Sequence, residues 1–536
     1  MLSVPATLEN ARKINRLAVK HGLVMDSGIQ DILDNIPKVC VLPGFAFKLK
    51  DFQAEGVAWL EKQDGRALLA DEQGTGKTAI VMAYAHKNHM FPMLVVVPNT
   101  LKLNWRNEIV AMTGLQYTIN VVGKSYSQLQ TEKRAVKHPN VIYSKTPTAG
   151  CDIYLINYDI LAANCEALEL LGLKFMAVDE SHKIKNPDAK RTQAMQRLAV
   201  GGYDVKLRAG KREHVTFGPG IGRVTLMSGT PLVNKPLELW TSVSTVAPWV
   251  PEFSNFTRFA FRYTNAQRST HGWDFNGASN TTELNALLLK HAMLRRLKAD
   301  VLKELPPKIY CTLPLEFDRT EYNRVEAAFN GVNWRAGMEA IVRMGGNAPV
   351  SNDAIVAIQK LREIAGYAKL NSAIEWIKDY TETNNKLVVF AHNRQIIEQI
   401  CNALEQDKDY AGAVGVIYGG VSDEARANAV LNFQNDTATR VIIIGITSGG
   451  FGLTLTAAKA VAFVQLPWTP GEISQCVDRI HRIGQDADTV TVYSLVAEGT
   501  IEEDAAEMLI SKGRVLDAVL DNNRVVNTLD IKIGGK

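Results

Sequence analysis

Cysteine is scarce and unpaired in this sequence: six residues (40, 151, 165, 311, 401 and 476) are spread over 536, and no two form a CxxC pair. That spacing excludes a disulfide scaffold and offers no zinc-ligand pattern, so buried, reduced thiols in a reducing compartment are expected. Long apolar runs are also missing. None reaches membrane-spanning length, and the first residues lack the apolar core of a signal peptide, which reads as a soluble intracellular chain with no membrane role. Net charge is small: 60 Lys+Arg face 56 Asp+Glu, a formal +4. Any basic surface must therefore be local, and bulk charge does not announce a nucleic-acid partner. What remains is ordinary globular composition, 46% hydrophobic and 22% charged. The length is too great for one core and predicts two core domains with insertions.

One further absence is local. In "LLADEQGTGKTAIVMAYA" (68–85) the second half of the phosphate-loop pattern GxxxxGK[ST] stands intact, but Asp71 occupies the place of its first glycine. An apolar strand precedes this turn, and Ala79, Ile80, Met82, Ala83 and Ala85 mark a helix after it. Such a turn aims backbone N–H groups and a helix N-terminus at an anion, so Asp71, Gly74, Thr75, Gly76, Lys77 and Thr78 are candidate nucleotide-binding residues. A bare GKT also arises by chance, and the stretch reads equally as an ordinary loop before a helix.

"KFMAVDESHKIKN" (174–186) supplies what that loop would need. Asp179 and Glu180 emerge at the C-terminal end of a short apolar strand, where ligands of open parallel sheets sit. With Thr78, Asp179 can hold Mg²⁺ on the phosphates, and Glu180 can polarise the attacking water. A third strand ends in Ser228-Gly229-Thr230-Pro231, small and hydroxylic residues suited to sensing a γ-phosphate.

ADEQGTGKT, VDESH and LMSGTPL, in this order, resemble the Swi/Snf-type helicase-like ATPases of helicase superfamily two. In that family aspartate is the usual residue at the first loop position, so Asp71 counts for the resemblance. "KLVVFAHNRQIIEQICNAL", "YGGVSDEARANAVLNFQND", "RVIIIGITSGGFGLTLTAAKAVAFVQLPW" and "GEISQCVDRIHRIGQ" then supply a second lobe, and the resemblance spans about residues 46–510. It implies two tandem RecA-like lobes, α/β with parallel sheets flanked by helices and a helical protrusion in each. An N-terminal extension would cover 1–45, lobe 1 46–307 with its protrusion at about 241–305, and lobe 2 308–536. Lobe 2 would hold a protrusion at about 316–368 and a brace at about 500–520.

The family assigns roles residue by residue. Gln53 in "FKLKDFQAEGVAWL" would read the adenine edge, favouring ATP, and Gln475 belongs to the same nucleotide set. Arg479 and Arg482, three apart and so on one face if helical, would stabilise charge on the transferred phosphoryl. Nucleic-acid contacts would come from Lys102 and Trp105, Thr230, His392 and Asn393, Thr447, Gly449 and Gly450, and Trp468. Hydroxyls, amides and backbone N–H groups of this kind hold phosphates without reading sequence. Trp105 fits a core position equally well, and Trp468 a packing role.

The insertions are less uniform. Residues 290–303 carry five Lys/Arg and one acid and read as a basic helix where the family's first protrusion grips duplex DNA. "HGWDFNGASNTTELNALL" (271–288) closely resembles the annealing-helicase branch, whose eukaryotic members remodel stalled replication forks. Residues 201–222 predict an exposed hairpin. The compact layout suggests a bacterial or viral source, hence cytoplasmic and nucleoid-associated, or nuclear if eukaryotic. The resulting expectation is a monomeric, ATP- and Mg²⁺-dependent translocase on double-stranded DNA, with forked DNA favoured by the 271–288 stretch. A strand-separating helicase, a motor subunit of a restriction or transcription-recycling complex, and a nucleotide-gated DNA-binding module stay open beside it.

Overall fold

The computed structural model describes residues 6–123, 138–206, 212–232, 235–269, 272–344, 350–382, 386–449, 453–482 and 484–520. Its contacts divide the chain into two units, one built mainly from residues 1–297 and the other mainly from 298 onward. The division thus falls at Leu297/Lys298, before the 307/308 lobe boundary that the resemblance implies.

The first unit is organised on strands whose sequences are continuous apolar runs, "MLVVV" in β2 (Met93–Val97) and "FMAVD" in β6 (Phe175–Asp179). Runs of that kind suit a sheet covered on both faces, and parallel pairing follows from it. The sheet also contains β1 (Ala67–Leu69), β3 (Ile119–Val122), β4 (Val141–Ser144), β5 (Ile153–Asn157), β9 (Val224–Met227) and β12 (Met293–Leu294). Its order is β12-β1-β9-β6-β2-β5-β3-β4, and every pairing is parallel. β9 therefore lies between β1 and β6, with Met227 level with both Leu69 and Asp179.

The expected hairpin is present as β7 (Gly202–Lys206) paired antiparallel with β8 (Arg212–Thr216); its basic tip lies outside the described residues. The N-terminal segment holds the helix Leu8–His21, capped by Thr7 and stopped at left-handed Gly22, plus a second helix, Ser27–Asp34, that its sequence did not announce.

The expected basic helix at 290–303 is corrected. The helix Thr281–His291 stops, and Met293–Leu294 form the edge strand β12 beside β1. Leu68 N–H donates to Ala292 O (2.8 Å) and Ala70 N–H to Leu294 O (2.8 Å). β1 would otherwise be an unpaired edge leading into the phosphate loop, and that backbone demand outweighs the helical spacing of the side chains.

The second unit is a six-stranded sheet of β13 (Lys308–Leu315), β14 (Leu387–Ala391), β15 (Val414–Ile417), β16 (Val441–Gly445), β17 (Ala460–Phe463) and β18 (Val490–Ala497). Its order is β13-β18-β17-β14-β16-β15, all parallel. Alternate residues feed two cores, Val388 and Phe390 on one face, Leu387, Val389 and Ala391 on the other. A third core joins the helices Thr320–Ala328, Trp334–Met344 and Asn352–Ala368 through Tyr322, Trp334, Met338, Ile358 and Leu361. These helices fall within the stretch expected as a helical protrusion, about 316–368. The brace stretch is one helix, Ile501–Leu520.

Candidate active site

Because β1, β9 and β6 are neighbours, the three motifs that follow them emerge side by side at the carboxyl edge of the first sheet. The phosphate loop runs from Ala70 into the helix Lys77–Lys87, with Gly74 (φ 81°) and Gly76 (φ 83°) in the left-handed region. The Gly76 φ is one that L side chains rarely adopt, and a Cβ there would also lie 2.4 Å from Gln53 Nε2. Thr75 Oγ1 donates to Glu72 O (2.9 Å), and Lys77 Nζ donates to Asp71 O (2.8 Å) and Glu72 O (3.2 Å). The ammonium is thus held over the loop it would share with a phosphate. Thr78 is half-buried in the helix's first turn.

Asp71 does not face that loop with its side chain. It is fully buried, and Arg296 grips it with two guanidinium nitrogens, one at 3.1 Å. Arg296 also donates to Phe52 O and stacks on the Phe52 ring (5.2 Å to the centroid). Its neighbour Arg295 donates to Ala70 O (2.9 Å) and Gly229 O (3.0 Å). The two cations read from sequence as a DNA-gripping face instead hold the phosphate loop from within. No sequence motif assigned them; the only signal was their position straight after two apolar residues.

Gln53 is buried at the same loop. Its amide nitrogen donates to Thr75 O (3.0 Å), and its oxygen accepts from Lys50 N–H (3.0 Å). An amide has two N–H donors and two lone pairs, so one of each is left for a base.

Asp179 ends β6. Its carboxylate accepts from Glu180 N–H (2.9 Å) and from the Trp105 indole N–H (2.8 Å). Burial, then the charge of Glu180, push its carboxyl up to about 6, against the opposing pull of the Trp105 hydrogen bond and Lys77. Glu180 is buried in the left-handed region (φ 51°), a conformation that costs a non-glycine residue ~1–3 kcal/mol and re-aims its side chain. Gln73 Nε2, from the phosphate loop, lies 3.5 Å from Glu180 Oε1. His182 Nδ1 sits 3.4 Å from Glu180 Oε2 and 3.3 Å from Ser228 Oγ. Burial and the charges of Lys183 and Lys185 push His182 down to about 3, so it is neutral at physiological pH. Through Gln73 and His182, the carboxylate touches both neighbouring motifs. Gly229 packs so tightly on Gln73 that a Cβ would meet its Cγ at 2.2 Å.

Two nucleic-acid expectations in this unit are corrected. Trp105 is 2% exposed and committed to Asp179. Lys102 is 7% exposed, its ammonium donating to Val122 O (2.9 Å) and Asn157 Oδ1 (2.9 Å). Both face inward on the helix Lys102–Thr113, with their polar atoms taken by partners within this unit. Thr230 is also buried, its N–H donating to Ser228 Oγ (3.2 Å).

In the second unit the helix that carries Gln475, Pro470–Val477, starts at a Thr469/Glu472 capping box and ends before the arginines. Arg479 and Arg482 therefore lie in the turn beyond it, and the shared-helix-face argument does not apply to them. Arg479 is 2% exposed, and its carbonyl accepts from Leu455 N–H (2.9 Å). Half-buried Arg482 donates to Asp478 O (2.7 Å) and Thr454 Oγ1 (3.2 Å). A buried lattice fixes this turn. Lys298 Nζ reaches Asp478 Oδ1 at 2.9 Å with both side chains 1% exposed, and Lys308 Nζ reaches the same oxygen at 3.2 Å. Burial alone would raise the Asp478 carboxyl, but the two lysines outweigh it and hold it well below the usual carboxylate range. Lys298 also donates to His481 O (2.5 Å), and His481 Nε2 lies 2.8 Å from Pro306 O.

The other second-unit candidates gather at the carboxyl ends of β14, β16 and β17. His392 is exposed; its N–H and that of Asn393 both donate to Gln465 Oε1 (3.0 and 2.8 Å). Asn393 also caps the helix Arg394–Glu405. Thr447 is exposed in the short helix Ile446–Gly449, and Gly450 lies outside the described residues. Trp468 is half-buried, with the Arg362 guanidinium 3.7 Å from its ring centroid.

Two parallel sheets, each flanked by helices, with a glycine-lysine phosphate loop and an acidic pair on the first and an arginine turn on the second, define a tandem RecA-like nucleotide-hydrolysing core. The SNF2-related domain model matches residues 52–201 and 221–366, and the helicase conserved C-terminal domain model matches 368–484. The chain belongs to the SNF2-related family of helicase-like ATPases. It is 31% identical over 491 residues to the mouse protein "DNA annealing helicase and endonuclease ZRANB3", covering 89% of this chain and 41% of that one. It is 30% identical over 477 residues to the Xenopus tropicalis "SWI/SNF-related matrix-associated actin-dependent regulator of chromatin subfamily A-like protein 1", covering 87% and 44%. A solved structure, "Sulfolobus solfataricus SWI2/SNF2 ATPase core in complex with dsDNA", is 21% identical with a TM-score of 0.38, covering 90% of this chain and 95% of that one. The chain spans about two fifths of the length of these two curated relatives. Both are animal proteins and lend no support to a bacterial or viral source. Among the described residues, no helix is long and apolar enough to cross a membrane.

Proposed function

We propose that this chain is an ATP- and Mg²⁺-dependent motor that translocates on double-stranded DNA and acts at forked or branched sites, working as a monomer. The observation that carries the catalytic half is the convergence on one sheet edge of Lys77, Asp179 and Glu180, with Glu180 reached from the phosphate loop by Gln73 and from the third motif through His182. Lys77 would exchange its two carbonyl partners for phosphate oxygens. Thr78 and Asp179 would hold Mg²⁺, which supplies charge neutralisation at the phosphates. Glu180 is placed to orient and deprotonate the attacking water. Arg479 and Arg482 would stabilise the developing charge, the role the family resemblance assigns to both, and Arg482 is held by Asp478 O and Thr454.

The DNA half rests on exposed His392 and Thr447, on Asn393 and Trp468, and on the names of the relatives. The fork preference rests on 271–288 and on the annealing helicase among those relatives. Turnover with and without duplex DNA, together with displacement of a triplex strand, tests the proposal. Vigorous ATPase without triplex displacement would reject translocation, and equal activity on forks and linear duplex would reject the preference.

A further inference from the structure

The stretch "GWDFN" that follows His271 does not contribute to the catalytic edge, yet it carries the most exposed tryptophan surface identified among the described residues. It forms β11 (Gly272–Asp274), paired antiparallel with β10 (Gln267–Ser269), and this places Arg268 directly opposite Trp273. Trp273 is 52% exposed and packs edge-on against Phe261, itself 41% exposed (centroids 4.6 Å, 72° between planes). Burying a tryptophan and a phenylalanine is strongly favourable, so leaving both in water asks for a partner.

The pair is not loosely attached. Phe261 also meets Phe275 (5.3 Å), Phe275 meets Phe256 (6.3 Å), and Phe256 meets the buried Trp240 (5.6 Å), each edge to face. A ladder of rings thus runs from the core to the surface and holds its outermost member in place before any ligand arrives. That saves the ordering cost of a flexible loop.

The surrounding charge points to the occupant. Arg268 is exposed, and its side chain makes no ion pair or hydrogen bond among the described residues. Arg258, one turn before Phe261 on the helix Phe256–Tyr263, is exposed and reaches only Pro251 O through its side chain (3.4 Å). Arg262 differs, because Glu283 neutralises it through a two-pronged pair. Two uncompensated guanidinium groups beside an exposed aromatic face suit an anionic backbone that carries flat rings. An apolar protein surface would leave both arginines desolvated.

We infer that Trp273 and Phe261, flanked by Arg258 and Arg268, form a stacking site for an unpaired DNA base next to a branch point. Intact duplex hides its base faces, so the site engages only where strands have parted. Stacking on an aromatic side chain is tolerant of sequence, and the arginines hold the adjacent phosphates. The inference deepens the proposed function and rests on it.

The test uses the full chain and two probes, a linear duplex and a fork of the same length with unpaired arms. Trp273→Ala should lose about tenfold or more in affinity for the fork, the scale of one lost base stack. It should keep its affinity for linear duplex and its duplex-stimulated turnover. Trp273→Phe should restore fork affinity to within about threefold, which separates stacking from a folding defect. Wild-type fork affinity in Trp273→Ala would overturn the inference. So would an equal loss on fork and duplex, since the residue would then serve the motor or the fold in general. If the wild-type protein binds neither probe, the proposed function itself fails, and the inference with it.

Discussion

Arg296 closes on Asp71 inside the first unit, at the position where a phosphate loop ordinarily begins with glycine. The aspartate is fully buried, and its partner arrives from just beyond the edge strand, more than two hundred residues later. The departure from the glycine pattern is therefore structural. An acid at this position can be tolerated only because a guanidinium meets it, and the pair ties the loop to the last strand of the sheet.

Arg296→Ala should accordingly be severe although Arg296 touches no reacting atom. It leaves a buried carboxylate without its partner, a change that typically costs ~3–5 kcal/mol. Thermal unfolding should show a markedly lower Tm, and ATP affinity should fall with it. The double variant Arg296→Met/Asp71→Asn should recover part of the loss, because no buried charge then remains.

Glu180→Gln should bind ATP with near wild-type affinity and lose ~10²–10⁴ in turnover, the range expected for a missing general base. Lys77→Ala should lose affinity and turnover together. Single-turnover kinetics with labelled ATP separates the two cases. A Glu180→Gln protein that keeps most of its turnover removes this residue from the role assigned to it.

The Trp105 indole lowers the pKa of a carboxyl that burial and Glu180 raise. Trp105→Phe fills the same space without the donor, so the Asp179 carboxyl should move higher still. Only the ionised form serves a metal. The acid limb of the pH–turnover profile should therefore shift to higher pH in the variant, and an unmoved limb would show that Asp179 does not control it.

Lys298→Met should destabilise the second unit and depress turnover indirectly, by loosening the turn that carries Arg479 and Arg482. Asp478 is held below its ordinary range, so the stability it contributes is present above about pH 4. That contribution is lost as pH falls through the depressed value. The Tm gap between wild type and variant should be wide at pH 7 and narrow under acid, and calorimetry across that range checks it.

Much of this was legible in the sequence because the relevant signals were local. The phosphate loop, the acidic pair at a strand end and the hairpin at 202–216 all depend on near neighbours. The misread residues answer to distant ones. Arg295 and Arg296 looked like part of a basic helix because helical spacing and charge are visible, while the need of β1 for a second strand partner is not. Trp105 and Lys102 lie in a stretch to which the family resemblance assigns DNA contact, yet Asp179 and Asn157 draw them inward. Arg479 and Arg482 keep their spacing of three, but the helix stops at Val477 and the geometry of the turn replaces that of the helix face.

The central claim is that hydrolysis on the first unit is coupled to duplex DNA. Steady-state ATPase measured with and without linear duplex, over a series of salt concentrations and beside the Arg482→Ala variant, tests it most directly. Wild type should turn over slowly alone, rise at least tenfold with DNA, and lose that rise as salt increases, since backbone contacts release counterions. Arg482→Ala should bind both ligands and show no rise, in keeping with the ~10³–10⁵ such arginines contribute. Turnover that is the same with and without duplex DNA would contradict the account.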